Sequence, residues 1–210
     1  MTNQDLTPSD ELMRRVQEAD ADAVAEVFLY YRERLLRMVR LRLDRRLQGR
    51  VDASDVIQEA FLDIAPRAAE YAAKPEMPFY LWMRMVTGER LLKVHREHLQ
   101  TQMRDVAHEV SIFGGMMPQA DSVSLAGQFL GNMTTPGAAV MRNELRNHLQ
   151  KVLDAMDPID REIIALRHFE ELGNVEIALI LNLSKTAASS RYLRAIKRLK
   201  DELAQFPGFH

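Results

Sequence analysis

The sequence predicts an all-α protein with two small helical domains joined by a linker. Three observations support this prediction. Apolar residues recur at spacings of three and four along most of the chain, as on one face of a helix. Capping residues followed by Pro or an acid precede several of these runs. Between residues 110 and 137 the pattern breaks, and this stretch holds five of the nine glycines and no lysine or arginine. We expect the domain boundary there.

Long helices are expected in the N-terminal half. One should cover residues 21–47, where apolar side chains share one face. The next should begin at the capping residue Asp52 and end near Pro66, because proline cannot continue the backbone hydrogen bonds of a helix. Residues 66–78 contain three prolines and are predicted to form a loop, followed by a helix from 79 to beyond 99.

The C-terminal half ends in a predicted helix-turn-helix. Asp157 and Pro158 form a helix start, and Gly173 is expected to end that helix. A short helix follows, Asn182 suits a left-handed turn, and Ser184 can cap the last helix. A short helix, a tight turn and a basic second helix are the elements of this DNA-binding motif.

The stretch from 110 to 137 is not a plain flexible tether. Apolar side chains such as Ile112, Phe113, Phe129 and Leu130 would be costly to leave in water. We therefore expect this stretch to lie against another part of the protein or of a partner.

Composition limits the functional classes. The 210 residues include no cysteine, which excludes disulfides and thiolate metal sites and indicates a reducing compartment. The chain begins without a secretory signal, and no apolar run is long enough to cross a bilayer. We expect a cytoplasmic protein that does not insert into membranes.

Charge is distributed unevenly although the net charge is only −2. Residues 32–50 contain eight arginines against two acids, and residues 185–200 contain basic residues and no acid. Because phosphate neutralisation supplies most non-specific affinity for nucleic acid, a chain without net positive charge should bind DNA weakly by itself. This favours a protein that reaches DNA together with a larger partner.

The final helix carries a predicted DNA-binding face. An apolar stripe through Ala188, Tyr192, Ala195 and Leu199 would dock the helix, and the remaining surface is hydroxyl and basic. A solvated charged face is the ordinary interpretation of such a run, but no carboxylate is interleaved to form ion pairs. Small hydroxyls near the helix start with arginines behind them would allow approach to base edges. The candidate residues are Lys185, Thr186, Ser189, Ser190, Arg191, Arg194, Lys197 and Arg198.

Two further helices carry candidate sites. Residues 52–64 leave a polar face that we interpret as a protein-docking surface, with Leu62 as its apolar contact. Catalysis is disfavoured because no nucleophile, phosphate loop or metal cluster accompanies the carboxylates.

The helix from 79 combines Trp82 with cations, which suits binding to unpaired bases. A core tryptophan with cations that extend past it to solvent explains the pattern equally well. His95 and His98 lack the further ligands that a zinc site needs, so no metal and no cofactor are predicted.

Taken together, the motifs resemble those of bacterial RNA polymerase sigma factors of the extracytoplasmic function group, in the sigma-70 family. The segment DASDVIQEAFL, residues 52–62, is similar to the family's core-polymerase segment, and FYLWM, residues 79–83, is similar to its F-x-x-W-L. In the C-terminal half, residues 176–178, 183–184, 190–191 and 194–199 are similar to the family's region 4 pattern. Glu89 stands where the family commonly has Asn, and Asn182 where it has Gly.

The resemblance implies a domain organisation and a set of partners. Residues 1–104 would form sigma region 2, 105–137 a linker threading through the polymerase, and 138–210 sigma region 4. The partners would be the clamp of the largest polymerase subunits, promoter DNA and, as a further candidate, an anti-sigma factor. The protein would not be an enzyme.

The resemblance also assigns roles to the candidate residues. The final-helix residues given above would read the −35 element as duplex. Core polymerase would be bound by Asp52, Asp55, Gln58, Glu59 and Leu62. The −10 element would be melted and held by the 66–78 loop and by Trp82, Arg84, Arg90, Lys93 and Arg96.

Two other functional classes explain part of the sequence. A stand-alone helix-turn-helix regulator with a ligand-binding or dimerising N-terminal domain explains the last helix equally well, but not the 52–62 face or the unusual linker. A helical adaptor with no DNA role would make the acid-free basic face accidental.

Overall fold

The structure is a computed structural model that describes residues 8–99, 117–131 and 139–205. Its helices, in chain order, are α1 Asp10–Gln17, α2 Ala21–Arg42, α3 Ala53–Ala73, α4 Phe79–Leu99, α5 Ser122–Phe129, α6 Ala139–Asp154, α7 Pro158–Ile164, α8 Asn174–Leu181 and α9 Lys185–Ala204. Within the described ranges there is no β-strand, and Gln48 and Val51 form an isolated bridge. The all-α prediction is confirmed.

The described chain divides into two compact units. Unit 1 contains residues 8–39, 43–99 and 117–118, and unit 2 contains residues 40–42, 119–131 and 139–205. Among the described residues, no helix combines the length and the apolar character needed to span a bilayer.

Unit 1 is organised around the pairing of α3 with α4. The ring of Phe28 in α2 lies 4.8 Å from that of Phe61 in α3. Further along, the rings of Tyr71, Phe79 and Trp82 have centroids within 5.4 Å of one another. Such aromatic packing buries a large apolar area, so it fixes the last turns of α3 against the start of α4.

Helix α3 does not end near Pro66 as predicted; it continues to Ala73. The proline removes the hydrogen bond that its nitrogen would donate to the Leu62 carbonyl. Leu62 and Pro66 are both exposed, so water can bond to that carbonyl, while buried Ala68 and Tyr71 hold the later turns in the core. The predicted 66–78 loop is therefore reduced to the five residues 74–78.

Helix α2 ends at Arg42, five residues before the predicted end at 47. Leu43 is extended, with ψ of 119°. The Asp44 N–H then donates to the His95 Nε2 atom at 3.2 Å instead of continuing the helix. Leu43 and Leu47 are both buried beyond this helix end.

An apolar core of unit 2 is shared by four of its helices. It is formed by side chains from α5, α6, α7 and α9, including Leu125, Leu149, Leu153, Ile164 and Leu199. The expectation that the segment from 110 to 137 lies against another part of the protein is confirmed for α5, whose Leu125 and Ala126 are fully buried. Residues 110–116 and 132–137 of that segment lie outside the described residues.

The helix that starts at Pro158 is shorter than predicted. After Ile164 the backbone widens into one π-helical turn, Ala165–Phe169, and the chain leaves the helix before Gly173. Glu171 has a φ of +57°, so it reverses the chain direction in the manner of a left-handed cap. Asp157 caps the start of this helix, as its position predicts, by accepting the Ile159 N–H at 2.8 Å.

Candidate nucleic-acid interface and partner-docking face

Local interactions fix the start of α9. Asn182 adopts the predicted left-handed conformation, with φ of 51°, and so separates α8 from α9. The Ser184 hydroxyl accepts the Ala187 N–H at 3.1 Å, which satisfies one of the free donors at the helix start. Two helices joined by this tight turn complete the helix-turn-helix that the sequence predicts.

One face of α9 is docked and the opposite face is open. Ala188, Ala195 and Leu199 are buried at 5% exposure or less, which fixes the rotation of the helix about its axis. The opposite face carries predicted DNA-binding residues that are all exposed: Lys185, Thr186, Ser190, Arg194, Lys197 and Arg198. Ser189 is half-buried at the edge. Among the residues that the structure describes, none of the ion pairs involves the four cations of this exposed set.

Arg191 is held differently from the other cations of α9. Its guanidinium contacts the Asp160 carboxylate at 2.6 Å and that of Asp157 at 3.4 Å, and its side chain is 25% exposed. These contacts connect the middle of α9 to the start of α7. The structure therefore places Arg191 at the edge of the open face, with its charge neutralised inside the unit.

Leu193 was missed by the sequence argument. Its side chain is 64% exposed and lies on the open face, at helical spacing from Thr186, Ser190 and Lys197. That spacing was available in the sequence. An exposed apolar side chain on a basic face suits contact with the methyl group of thymine.

A second residue of α9, Tyr192, contacts the π-helical turn. Its hydroxyl lies 2.9 Å from the Nε2 atom of His168, and the two rings are 5.5 Å apart. Burial lowers the pKa of His168 below its ordinary value, and the nearby Arg167 guanidinium lowers it further. A neutral imidazole is therefore favoured next to α9 in the folded state.

The α3 face has the predicted polar character. Asp52 caps the helix by accepting the Ser54 N–H at 2.7 Å, and it is exposed together with Asp55, Gln58 and Glu59. Leu62 is 70% exposed on the same side. A large apolar side chain surrounded by polar ones is typical of a docking surface.

Arg90 of α4 is paired with acids of α3. Its guanidinium contacts Asp63 at 2.5 Å and Glu59 at 3.4 Å, and only 15% of its side chain is exposed. This arrangement ties the middle of α4 to α3. The predicted −10 contact of Arg90 would have to compete with these two carboxylates.

Trp82 and Arg84, which are predicted to contact DNA, are both buried. Trp82 is 8% exposed and stacks on Phe79, with ring centroids 5.4 Å apart, and Arg84 is 5% exposed. Because a base cannot stack on a ring whose faces are covered, this burial favours the alternative interpretation of a core tryptophan.

The last turns of α4 keep exposed cations. Lys93 is exposed, with only a long 3.9 Å contact to Glu97, and Arg96 is exposed and joins none of the ion pairs seen in the described ranges. Glu89, one turn before Lys93, pairs with Arg67 of α3 at 2.7 Å. The position where the family has Asn therefore serves here to connect α3 and α4.

His95 has a structural contact. It is buried, and its Nε2 atom accepts the Asp44 N–H. Burial lowers its pKa, an effect that Asp44 opposes and Arg46 reinforces. Within the described parts of the chain, no three His, Cys, Asp or Glu side chains are grouped as metal ligands.

Comparisons with known proteins identify this combination of a helix-turn-helix and a second helical unit. Residues 146–199 match the family described as Sigma-70, region 4. The RNA polymerase sigma-H factor of Pseudomonas aeruginosa is 22% identical over 191 residues, 88% of each chain, so the similarity extends well beyond the helix-turn-helix. Residues 146–199 therefore have the sequence of a sigma-70 region 4 domain, and the similarity to a sigma factor over most of the chain supports a sigma factor of the sigma-70 family.

A solved structure has a similar fold. CnrH, in complex with the cytosolic domain of CnrY, is 16% identical, and the match covers 92% of this chain and 96% of that one with a TM-score of 0.51. A sigma factor directs RNA polymerase to promoters and so starts transcription. The stand-alone regulator is not favoured, because the sigma-H factor similarity includes the N-terminal half. Sigma factors are non-enzymatic regulators.

Proposed function

We propose that α9 reads the −35 element of the promoter as duplex DNA. The observation that carries this proposal is the open face of α9, where exposed hydroxyls and cations stand opposite a buried stripe. In the described parts of the chain, no ion pair neutralises Lys185, Arg194, Lys197 or Arg198. A basic second helix of a helix-turn-helix enters the major groove with its first turns nearest the bases. Thr186 and Ser190 lie in those turns and are small enough to permit close approach.

The residues of this face divide into two classes. Arg194 points outward at mid-helix, where a guanidinium can make two hydrogen bonds to a guanine edge. Lys197 and Arg198 lie further from the helix start and contact phosphates, which position the protein without carrying sequence information. Leu193 adds an apolar contact to a thymine methyl group. Arg191 can reach DNA only by giving up its contacts with Asp157 and Asp160.

The exposed face of α3 docks on the clamp of core RNA polymerase. Its support is the combination of exposed Gln58 and Glu59 with Leu62, which is one of the most exposed large apolar side chains in the described chain. A buried apolar anchor within a polar rim is the usual arrangement of an interface hot spot. Asp52 and Asp55 extend the same face toward the start of the helix.

The exposed end of α4 holds the melted −10 strand. Lys93 and Arg96 supply the cations that follow a single-stranded backbone, and the short 74–78 loop lies before this helix. The burial of Trp82 and Arg84 and the pairing of Arg90 leave these two residues as the main predicted contacts on α4.

Domain roles and partners follow from this division of labour. Residues 1–104 serve as sigma region 2 and 138–210 as sigma region 4, with 105–137 between them. The protein works in the cytoplasm with core polymerase and promoter DNA, and it catalyses no reaction itself. An anti-sigma factor is a further proposed partner, and the structure of CnrH with the cytosolic domain of CnrY supports regulation by a bound protein.

Reconstitution tests the docking and reading roles separately. The purified protein is mixed with sigma-free core polymerase, and affinity for core is measured before promoter-dependent transcription. Replacing Gln58, Glu59 and Leu62 together with Ala should reduce core affinity about 100-fold, because hot-spot truncations cost about 2 kcal/mol or more each and are not additive. Folding should be nearly unchanged, since all three side chains are exposed.

Leu179→Ala is the matched control for the docking test. Leu179 is 57% exposed, on α8, and so has the same chemistry and a similar exposure on a different helix. It should leave binding through the α3 face intact. Unchanged core affinity in the folded triple variant would show that α3 is not the docking face.

A further inference from the structure

Helix α5 lies within the segment predicted to be a linker, yet it is built into unit 2. Leu125 and Ala126 are fully buried and Leu130 is 4% exposed. They share one apolar core with Leu145 and Leu149 of α6. If α5 left this position, leucines of α6 would be exposed to water together with its own, which the hydrophobic effect opposes.

Polar contacts hold both ends of the α5 segment. At the start, the Arg161 guanidinium donates to the Ser122 hydroxyl at 3.1 Å, and the Ala120 N–H donates to the Glu162 carboxylate at 3.2 Å. At the end, the Arg142 guanidinium donates to the Leu130 carbonyl at 3.3 Å. Hydrogen bonds at both ends specify one register for the segment, which a loosely attached linker would not need.

The α5 core reaches α9 directly. Ala195 and Leu199, on the docked face of α9, belong to the same apolar cluster as Leu125 and Leu130. At the end of α5, Phe129 packs edge-on against Phe169, with centroids 4.9 Å apart, and lies 6.0 Å from His168. His168 in turn contacts Tyr192 of α9.

The start of α7 connects α5 to α9 through neighbouring residues. Asp160 pairs with Arg191 of α9, while the next residue, Arg161, donates to Ser122 and also to the Gln119 side chain at 3.3 Å. One turn of helix therefore holds both elements. The position of α9 depends on the same turn that anchors the α5 segment.

We propose that α5 is a positioning element for −35 recognition, and that it remains docked on unit 2 when the sigma factor is bound to polymerase. Leu125 and Leu130 act through the shared core on α9 and touch no DNA themselves. The segment that passes through the polymerase then ends before residue 119. This proposal rests on the proposed role of α9.

Hydrogen exchange of the unmodified full chain tests whether α5 stays docked. Backbone amides of Ser122–Phe129 should be protected in the free protein and equally protected in the holoenzyme. A loss of their protection on binding core polymerase, with α6 still protected, would overturn the proposal. This measurement needs no variant and so does not depend on a variant folding.

Full-chain variants test the positioning role. Leu125→Ala and Leu130→Ala each open a space beneath α5, and Val123→Ala, a half-buried position outside the shared core, is the matched control. In the holoenzyme, each leucine variant should bind a promoter with an intact −35 element roughly tenfold more weakly, within the range for loss of a base contact. Affinity for a scrambled −35 element and for core should be unchanged, and α9 amides should exchange faster.

Two results distinguish this proposal from the proposed function. If Arg194→Ala and Lys197→Ala leave −35 binding unchanged, the assignment of α9 fails, whatever α5 does. If those variants weaken binding while folded Leu125→Ala and Leu130→Ala match Val123→Ala in −35 preference and in α9 exchange, α5 does not position α9.

Discussion

Helices α4 and α9 look alike in sequence, since each mixes cations with an apolar stripe, but the structure uses their cations differently. On α4, Arg84 is buried and Arg90 is paired with Asp63 and Glu59 of α3. On α9, Arg194, Lys197 and Arg198 are exposed and outside every ion pair in the described residues, and Arg191 alone is paired. Arg90 of α4 therefore serves to hold the unit together, whereas Arg194, Lys197 and Arg198 of α9 are available to a partner.

The difference teaches that the cations of a helix are available to a partner only where the fold places no acids beside them. Within its own sequence α4 has few acids near Arg90, and the carboxylates that neutralise it come from positions 27 and 31 residues earlier. The stretch 185–200 contains no acid of its own, but even there Asp157 and Asp160, at the start of α7, pair with Arg191. Free cations, and not cations as such, indicate a phosphate-binding face.

The largest expected effect is on Arg194. Replacing it with Ala should weaken holoenzyme binding to the preferred −35 sequence by about 1–3 kcal/mol, or roughly 5- to 150-fold, and remove the preference at one base pair, since a bidentate base contact is lost. A panel of −35 substitutions measures this. Arg194→Lys is the matched control: it keeps the charge but not the planar fork, so it should recover affinity and not preference.

Arg90 should affect stability more than DNA binding. Arg90→Ala leaves Asp63 without its partner in a half-buried position, so the free energy of unfolding should fall by about 1 kcal/mol. Arg96→Ala, at an exposed position, should change it by about 0.5 kcal/mol or less, yet reduce permanganate reactivity of thymines near the start site. The reverse outcome, with Arg90→Ala folded normally but blocked in promoter opening, would contradict the distinction between α4 and α9.

Lys197 should have a smaller and sequence-independent effect. Removing one phosphate contact should lower the slope of log affinity against log salt by about 0.9, and weaken all −35 sequences alike by a few fold. Binding at several salt concentrations, with the intact and the scrambled −35 element, separates this from a base contact. A change in sequence preference would place Lys197 at the bases.

Local signals predicted much of this structure, and the failures came from contacts between distant residues. Ser184 and Asn182 act as predicted because a helix cap and a left-handed turn depend on neighbouring residues only. Helix α3 passes Pro66 because buried Ala68 and Tyr71 hold the turns beyond it, which no local rule shows. The burial of Trp82 and the pairing of Arg90 likewise depend on which helices pack together. The exposed set on α9 was predictable because one apolar stripe fixes the opposite face.

The pH dependence of unit 1 tests whether polar groups of α4 serve the fold. Burial holds the pKa of His95 below its ordinary value of 6.5 in the folded state, with Asp44 opposing and Arg46 adding to the shift. The unfolded chain therefore binds the proton more readily, and the contribution of His95 to stability is full above pH 6.5 and is lost as pH falls through 6.5 toward the folded pKa.

Trp82 is the only tryptophan and lies in the core of unit 1, so its fluorescence reports the unfolding of this unit. The free energy of unfolding that it reports should fall as the pH is lowered from about 7 to 5. The slope for one bound proton is at most about 1.4 kcal/mol per pH unit. His95→Gln keeps an acceptor for the Asp44 N–H and should flatten this dependence. His168→Gln should leave it unchanged, since His168 belongs to unit 2 and Trp82 reports on unit 1. An equal slope in the wild type and His95→Gln would show that His95 is not the titrating group.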